Sequence, residues 1–167
     1  MLSFEFLKNC KPGELLRVKI NDAAEFALLG AKESLSHSFQ PLVVLKENVP
    51  PFAFNLLGSG HMDGDFDTYA ALSYGKFEIT PEHTGRCEIG NGPLFTKAGS
   101  LILSDGAKSS VVQAKGGKSL RYFDLATGAL RGEPGRSKAA AFKSWSLWHG
   151  DLAPPAPSSR LIHYGGN

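Results

Sequence analysis

The sequence predicts an all-β single domain, an antiparallel sandwich or barrel with one or two short helices, and a jelly roll is among the arrangements that fit. Three observations carry that expectation. Turn formers are plentiful, with 19 Gly and 10 Pro in 167 residues. Short aromatic and β-branched runs stand between them, with 11 Phe against 4 Tyr and 2 Trp. Asp-Gly and Gly-Gly pairs punctuate the second half at hairpin spacing, because tight hairpin turns need positive φ. The length allows a proper core. A hydrophobic share of 42% against 20% charged residues marks a globular chain.

The elements follow in order. "LLRVKI" (15–20) alternates, with Leu16, Val18 and Ile20 on one face and Arg17 and Lys19 on the other, as in a half-buried strand. It runs between Pro12-Gly13 and Asn21-Asp22. "DAAEFALLG" (22–30) suits a short helix, with Asp22 and Glu25 as a capping box and Gly30 as C-cap. It equally suits a hairpin partner for 15–20, which is the reading taken. "FQPLVVLK" (39–46) is apolar on both faces and predicts a strand covered on both sides. Pro50-Pro51 then reads as a break before a strand at 52–57, and 68–79 reads as one long strand.

Residues 100–125 predict a three-stranded antiparallel meander with turns at Asp105-Gly106 and Gly116-Gly117, followed by a short strand at 129–131. "SKAAAFKSW" (137–145) is the best helix candidate, with Ser137 as N-cap. "SLWHGD" suits a last strand. The chain divides into an all-β domain over 1–150 and a proline-rich arm over 151–167. Leu161 and Ile162, beyond the prolines, are expected to dock on an apolar groove of the same chain or of a second copy.

Charge is uneven. Residues 1–100 carry a net −3 and residues 101–167 a net +5. Cys10 and Cys87 are too few for a disulfide framework and read as reduced thiols. The N-terminus lacks the pattern of a secretory signal, and no apolar run approaches ~18 residues, so no membrane span is expected. The cytoplasm is the expected location.

"GSGHMDGDFDTYA" (58–70) places His61, Asp63, Asp65 and Asp67 at alternate positions. Calcium could be held by such oxygens, but a helix–loop–helix calcium loop starting at Asp63 would need Gly and Glu where Thr68 and Tyr74 stand. His61-Met62-Asp63 with His149 resembles the facial triad of non-haem iron, 2-oxoglutarate-dependent oxygenases. The resemblance rests on these residues and on Arg160, which would stand as the co-substrate arginine. It implies a jelly-roll enzyme, of oxygenase or cupin type, with iron held by His61, Asp63 and His149. An acidic surface turn explains every residue of the stretch and is preferred.

"AKGGKS" (114–119) lacks the first glycine of a P-loop, since Val112 stands there, and a strand pattern follows it. His83 and Cys87, with His37, have no third group to make a catalytic set, and no G-x-S-x-G is present. Lys115, Lys118, Arg121, Arg131 and Arg136 are candidate anion contacts, with Tyr122, Phe123 and Trp145 among them as stacking platforms.

The sequence therefore reads as a non-catalytic all-β module without a cofactor. It is expected to act by protein–protein or small-ligand binding, with self-association through the C-terminal arm. The divalent-metal enzyme (Fe, or Ca in the looser loop) is the first alternative, and binding of nucleic acid or another polyanion by the basic half is the second.

Overall fold

The computed structural model describes residues 3–20, 22–34, 38–55, 70–82, 86–89, 99–104, 108–114, 120–131, 139–150 and 159–165. Strands dominate. A first sheet contains β1 (Ser3–Phe6), β2 (Leu15–Ile20), β3 (Ala23–Leu29), β6 (Pro41–Lys46), β7 (Val49–Asn55) and β8 (Ala70–Ser73), in the spatial order β1-β8-β2-β3-β6-β7. β4 (Glu33–Ser34) and β5 (Ser38–Phe39) form a separate small pair.

A second sheet has β10 (Arg86–Ile89), β11 (Leu101–Ser104), β12 (Lys108–Ala114), β13 (Leu120–Asp124), β14 (Leu130–Arg131) and β15 (Ala139–Phe142), ordered β10-β15-β11-β12-β13-β14. The third sheet is β17-β16-β9, from Arg160–Gly165, Ser144–His149 and Phe77–Pro81. All pairs are antiparallel, and among the described residues no sheet closes into a barrel. No helix among them is long and apolar enough to cross a membrane.

The hairpin reading of 22–30 holds: β3 pairs with β2 from Leu15↔Leu28 to Ile20↔Ala23. Asp22 enters the left-handed region (φ 64) at the turn, where a short polar residue is tolerated. The meander at 101–124 is also observed, and β14 follows it. Its two turns, at 105–106 and 116–117, lie outside the described residues.

β6 shows why its sequence lacks alternation. Val43 and Leu45 enter one core, and Leu42 and Val44 enter another on the opposite face. The first core joins all three sheets: Leu15, Leu28, Val43 and Leu45 meet Leu101, Phe123, Phe142, Trp145, Leu147, Ile162 and Tyr164. The second gathers Leu7, Leu16, Val18, Ile20, Ala27 and Leu29 behind the first sheet. β2 is thus more than half-buried, since Leu15 is fully buried beside Leu16.

Four expectations are corrected. Residues 139–142 are strand β15, not helix. β15 lies inside its sheet between β10 and β11 with Ala140, Ala141 and Phe142 buried, so two ladders and burial override alanine's helix propensity. Pro50 and Pro51 do not break the chain but lie within β7, at an edge and beside a register shift, where missing N–H groups cost nothing. Of the span 68–79, the described residues lie in two strands of different sheets, β8 and β9, parted at Tyr74-Gly75-Lys76 with Gly75 at φ 66. Arg160, read as part of the proline-rich arm, opens strand β17.

The arm ends in that strand. Ile162 and Tyr164 are buried in this chain's own core, and Leu161 packs against it at a register shift opposite Leu147 and Trp148. Tyr164 stacks on Trp145 at 5.3 Å between centroids, and the Trp145 indole N–H donates to the Gly99 carbonyl at 2.8 Å. Gly99 has φ 89, and a Cβ there would overlap the Tyr164 ring, so glycine is required.

Candidate functional site

β9 is an edge strand: it pairs with β16, and among the described residues no strand takes its other side. The register fixes which backbone groups face outward. Gly150 N–H donates to the Lys76 carbonyl (2.8 Å), and Glu82 N–H donates to the Ser144 carbonyl (2.9 Å). Antiparallel ladders alternate, so Lys76, Glu78, Thr80 and Glu82 bond toward β16. Phe77 and Ile79 therefore turn their N–H and C=O groups away from it. Pro81 occupies the next outward position, where its missing N–H breaks no ladder bond.

An open groove of about 620 Å³ runs along this edge. One wall is Gly75 to Ile79. The other is Leu125 and Ala126, and Gly150 closes an end. That second wall is the turn after β13, and Asp124 builds it. The buried Asp124 carboxylate accepts the N–H groups of Ala126 (2.9 Å) and Thr127 (3.2 Å), and its carbonyl accepts Gly128 N–H (2.8 Å). Gly128 C=O in turn accepts Ala31 N–H at 2.7 Å, which ties the turn to the end of β3. The groove is apolar at Phe77, Ile79 and Leu125, with Lys76 and Glu78 exposed at its rim.

Comparison with protein-family models, curated proteins and solved structures finds no match. The site is therefore read from its own chemistry.

Of the metal candidates, His61 and Asp63 lie outside the described residues, as do Asp65 and Asp67. His149 stands on β16 opposite Phe77, its ring edge-on to Tyr74 at 5.6 Å. Its Nε2 is buried with no hydrogen-bond partner among the described residues. No three His, Cys, Asp or Glu side chains among those residues are placed to hold a metal. Of the anion candidates, Lys115, Lys118 and Arg136 lie outside the described residues. Arg121 is half-buried on β13 with a guanidinium N–H toward the Leu130 carbonyl at 3.5 Å. Arg131 stands in register with Tyr122, out of phase with Arg121.

His37 and His83 also lie outside the described residues, and Cys87 stands on β10 opposite Ala141. Cys10 is half-buried beside the second core, its thiol donating to the Phe6 carbonyl at 3.5 Å. Burial first, then Glu14 and Glu5, push its pKa up to about 11, so it is a poor nucleophile.

Sequence reading missed one polar cluster. On the outer side of the third sheet, His163 Nδ1 lies 3.0 Å from Glu82 Oε1 and 3.3 Å from Ser146 Oγ, and Ser146 Oγ donates to Glu82 Oε1 at 3.3 Å. The residue types match a hydrolytic triad, but the geometry does not. A triad needs serine on one ring nitrogen and the acid on the other. Here both meet Nδ1, so the cluster ties β9, β16 and β17 together rather than activating the buried Ser146. Only the polar phase of "SWSLWH" and "RLIHYG" hinted that these residues share a face.

Proposed function

We propose that the protein is a non-catalytic binding module that takes an extended peptide segment of a partner protein along β9 by strand addition. The observation that carries this reading is the groove itself. It follows five consecutive residues, Gly75 to Ile79, where the Phe77 and Ile79 backbone groups point away from β16. An added strand would supply ladder partners to those groups, while Leu125, Ala126 and the rim charges of Lys76 and Glu78 select side chains. Pro81 limits the length that can pair, as edge prolines do. The reading assigns the module to the cytoplasm, which two cysteines, too few for a disulfide framework, support.

Selection from a displayed library of unstructured peptides tests it. Enriched peptides should bind the intact chain, and Ala126→Arg, which fills the groove from an exposed turn position, should weaken them about tenfold or more without lowering the melting temperature. Failure to enrich any peptide, or binding indifferent to Ala126→Arg, overturns the reading.

A further inference from the structure

The first sheet buries only part of its inner face. Leu15, Leu28, Val43 and Leu45 lie under the other two sheets. Farther across the same face, the register lines up Phe4 with Leu72, Leu72 with Arg17, Arg17 with Phe26, and Phe26 with Leu45. Directly paired positions share a face, so this is one transverse row running from the core to open solvent. Phe4 at its outer end is 81% exposed, and Phe6, two residues along, is 47% exposed.

Cations are interleaved with these rings. The Arg17 guanidinium lies 4.1 Å from the Phe26 ring centroid, and Lys8 Nζ lies 5.8 Å from the centroid of Phe6. Lys19 is one step along the same phase of β2 as Arg17 and pairs with Asp22 at 3.0 Å. Glu5 occupies the other phase of β1, opposite Ala71, which belongs to the second core. Among the described residues, three cations and one carboxylate therefore accompany the exposed rings.

We propose that this open end of the first sheet binds a single-stranded nucleic acid, with Phe4 and Phe6 as the stacking platform and Lys8, Arg17 and Lys19 as the phosphate contacts. Charge complementarity selects a polyanion, and exposed rings select one with planar groups to stack. The spacing agrees. Residues two apart on a strand are ~6.8 Å apart, and a base stacked between two rings needs two ~3.4 Å steps. A guanidinium already held against Phe26 is preorganised to meet a base or a phosphate. The proposal uses none of the basic residues of the second half and is independent of the β9 groove.

The test measures anisotropy of a labelled oligothymidylate with the full chain. Binding should fall on the order of 10⁻⁶–10⁻⁴ M and weaken with salt, with a log–log slope of about −1.4 to −2.1 for two or three phosphates neutralised. The double variant Phe4→Ala/Phe6→Ala should weaken it about tenfold or more with an unchanged melting temperature. Arg17→Lys, which keeps the charge but loses the planar group, should weaken it less. Ala126→Arg should leave it unchanged, which separates this site from the peptide groove. No anisotropy change at low salt overturns the proposal, as does binding that ignores the Phe4/Phe6 variant. Ring-dependent binding to phosphatidylserine vesicles without oligonucleotide binding overturns it in favour of a membrane surface. A ring-dependent dimer in sedimentation without oligonucleotide binding overturns it in favour of a second copy.

Discussion

Trp145 and Tyr164 stack 5.3 Å apart beneath the third sheet and are almost completely buried, whereas Phe4 and Phe6 on β1 stand 81% and 47% exposed. Both pairs sit on antiparallel strands at spacings that share a face. The difference lies in what covers them. The third sheet packs its aromatic phase on the core common to all three sheets, while the first sheet extends past that core and leaves its last row open. Aromatic residues near the C-terminus therefore hold the fold, and Phe4 and Phe6 near the N-terminus stay exposed.

Substitutions sharpen this contrast in descending size. Trp145→Ala should cost about 3–5 kcal/mol in denaturant unfolding, because it empties the core and leaves the Gly99 carbonyl without its donor. Asp124→Ala should cost about 1–2 kcal/mol, since two turn N–H groups lose their acceptor. It should also weaken peptide binding, as the Leu125-Ala126 wall is no longer fixed.

Alkaline pH should act on both regions. Burial raises the Tyr164 pKa above 10.0, and the Cys10 thiol rises from 9.0 to about 11. A raised folded-state pKa favours folding below the unfolded value, and that contribution disappears as pH climbs through the folded one. Stability should thus hold through neutral pH and decline above about pH 9. Tyr164→Phe should remove part of the decline above pH 10. Phe4→Ser should change unfolding free energy by only about 0.5 kcal/mol or less, since an exposed ring gives up little on truncation. A loss near that of Trp145→Ala would erase the contrast.

Much of this was legible in sequence wherever the local pattern and the tertiary environment agree. The 101–124 meander and the two-sided burial of 41–46 follow from turn residues and unbroken apolar runs. The errors arose where packing overruled propensity. Three alanines became an interior strand because small residues fit between two ladders, and two prolines joined a strand because its edge and the register shift beside them ask for no donors. The β9 groove was not legible. Its edge status depends on which strand lies beside β16, and its second wall comes from a turn about fifty residues away in sequence, which no short window contains.

Amide exchange along β9 tests the central claim most directly. In the free chain, Glu78, Thr80 and Glu82 amides should exchange slowly, and those of Phe77 and Ile79 faster, because only the first set bonds to β16. Adding a selected peptide should slow Phe77 and Ile79 and leave the even-numbered amides unchanged. Protection appearing elsewhere, or Phe77 and Ile79 unaffected at saturating peptide, would contradict strand addition at this edge.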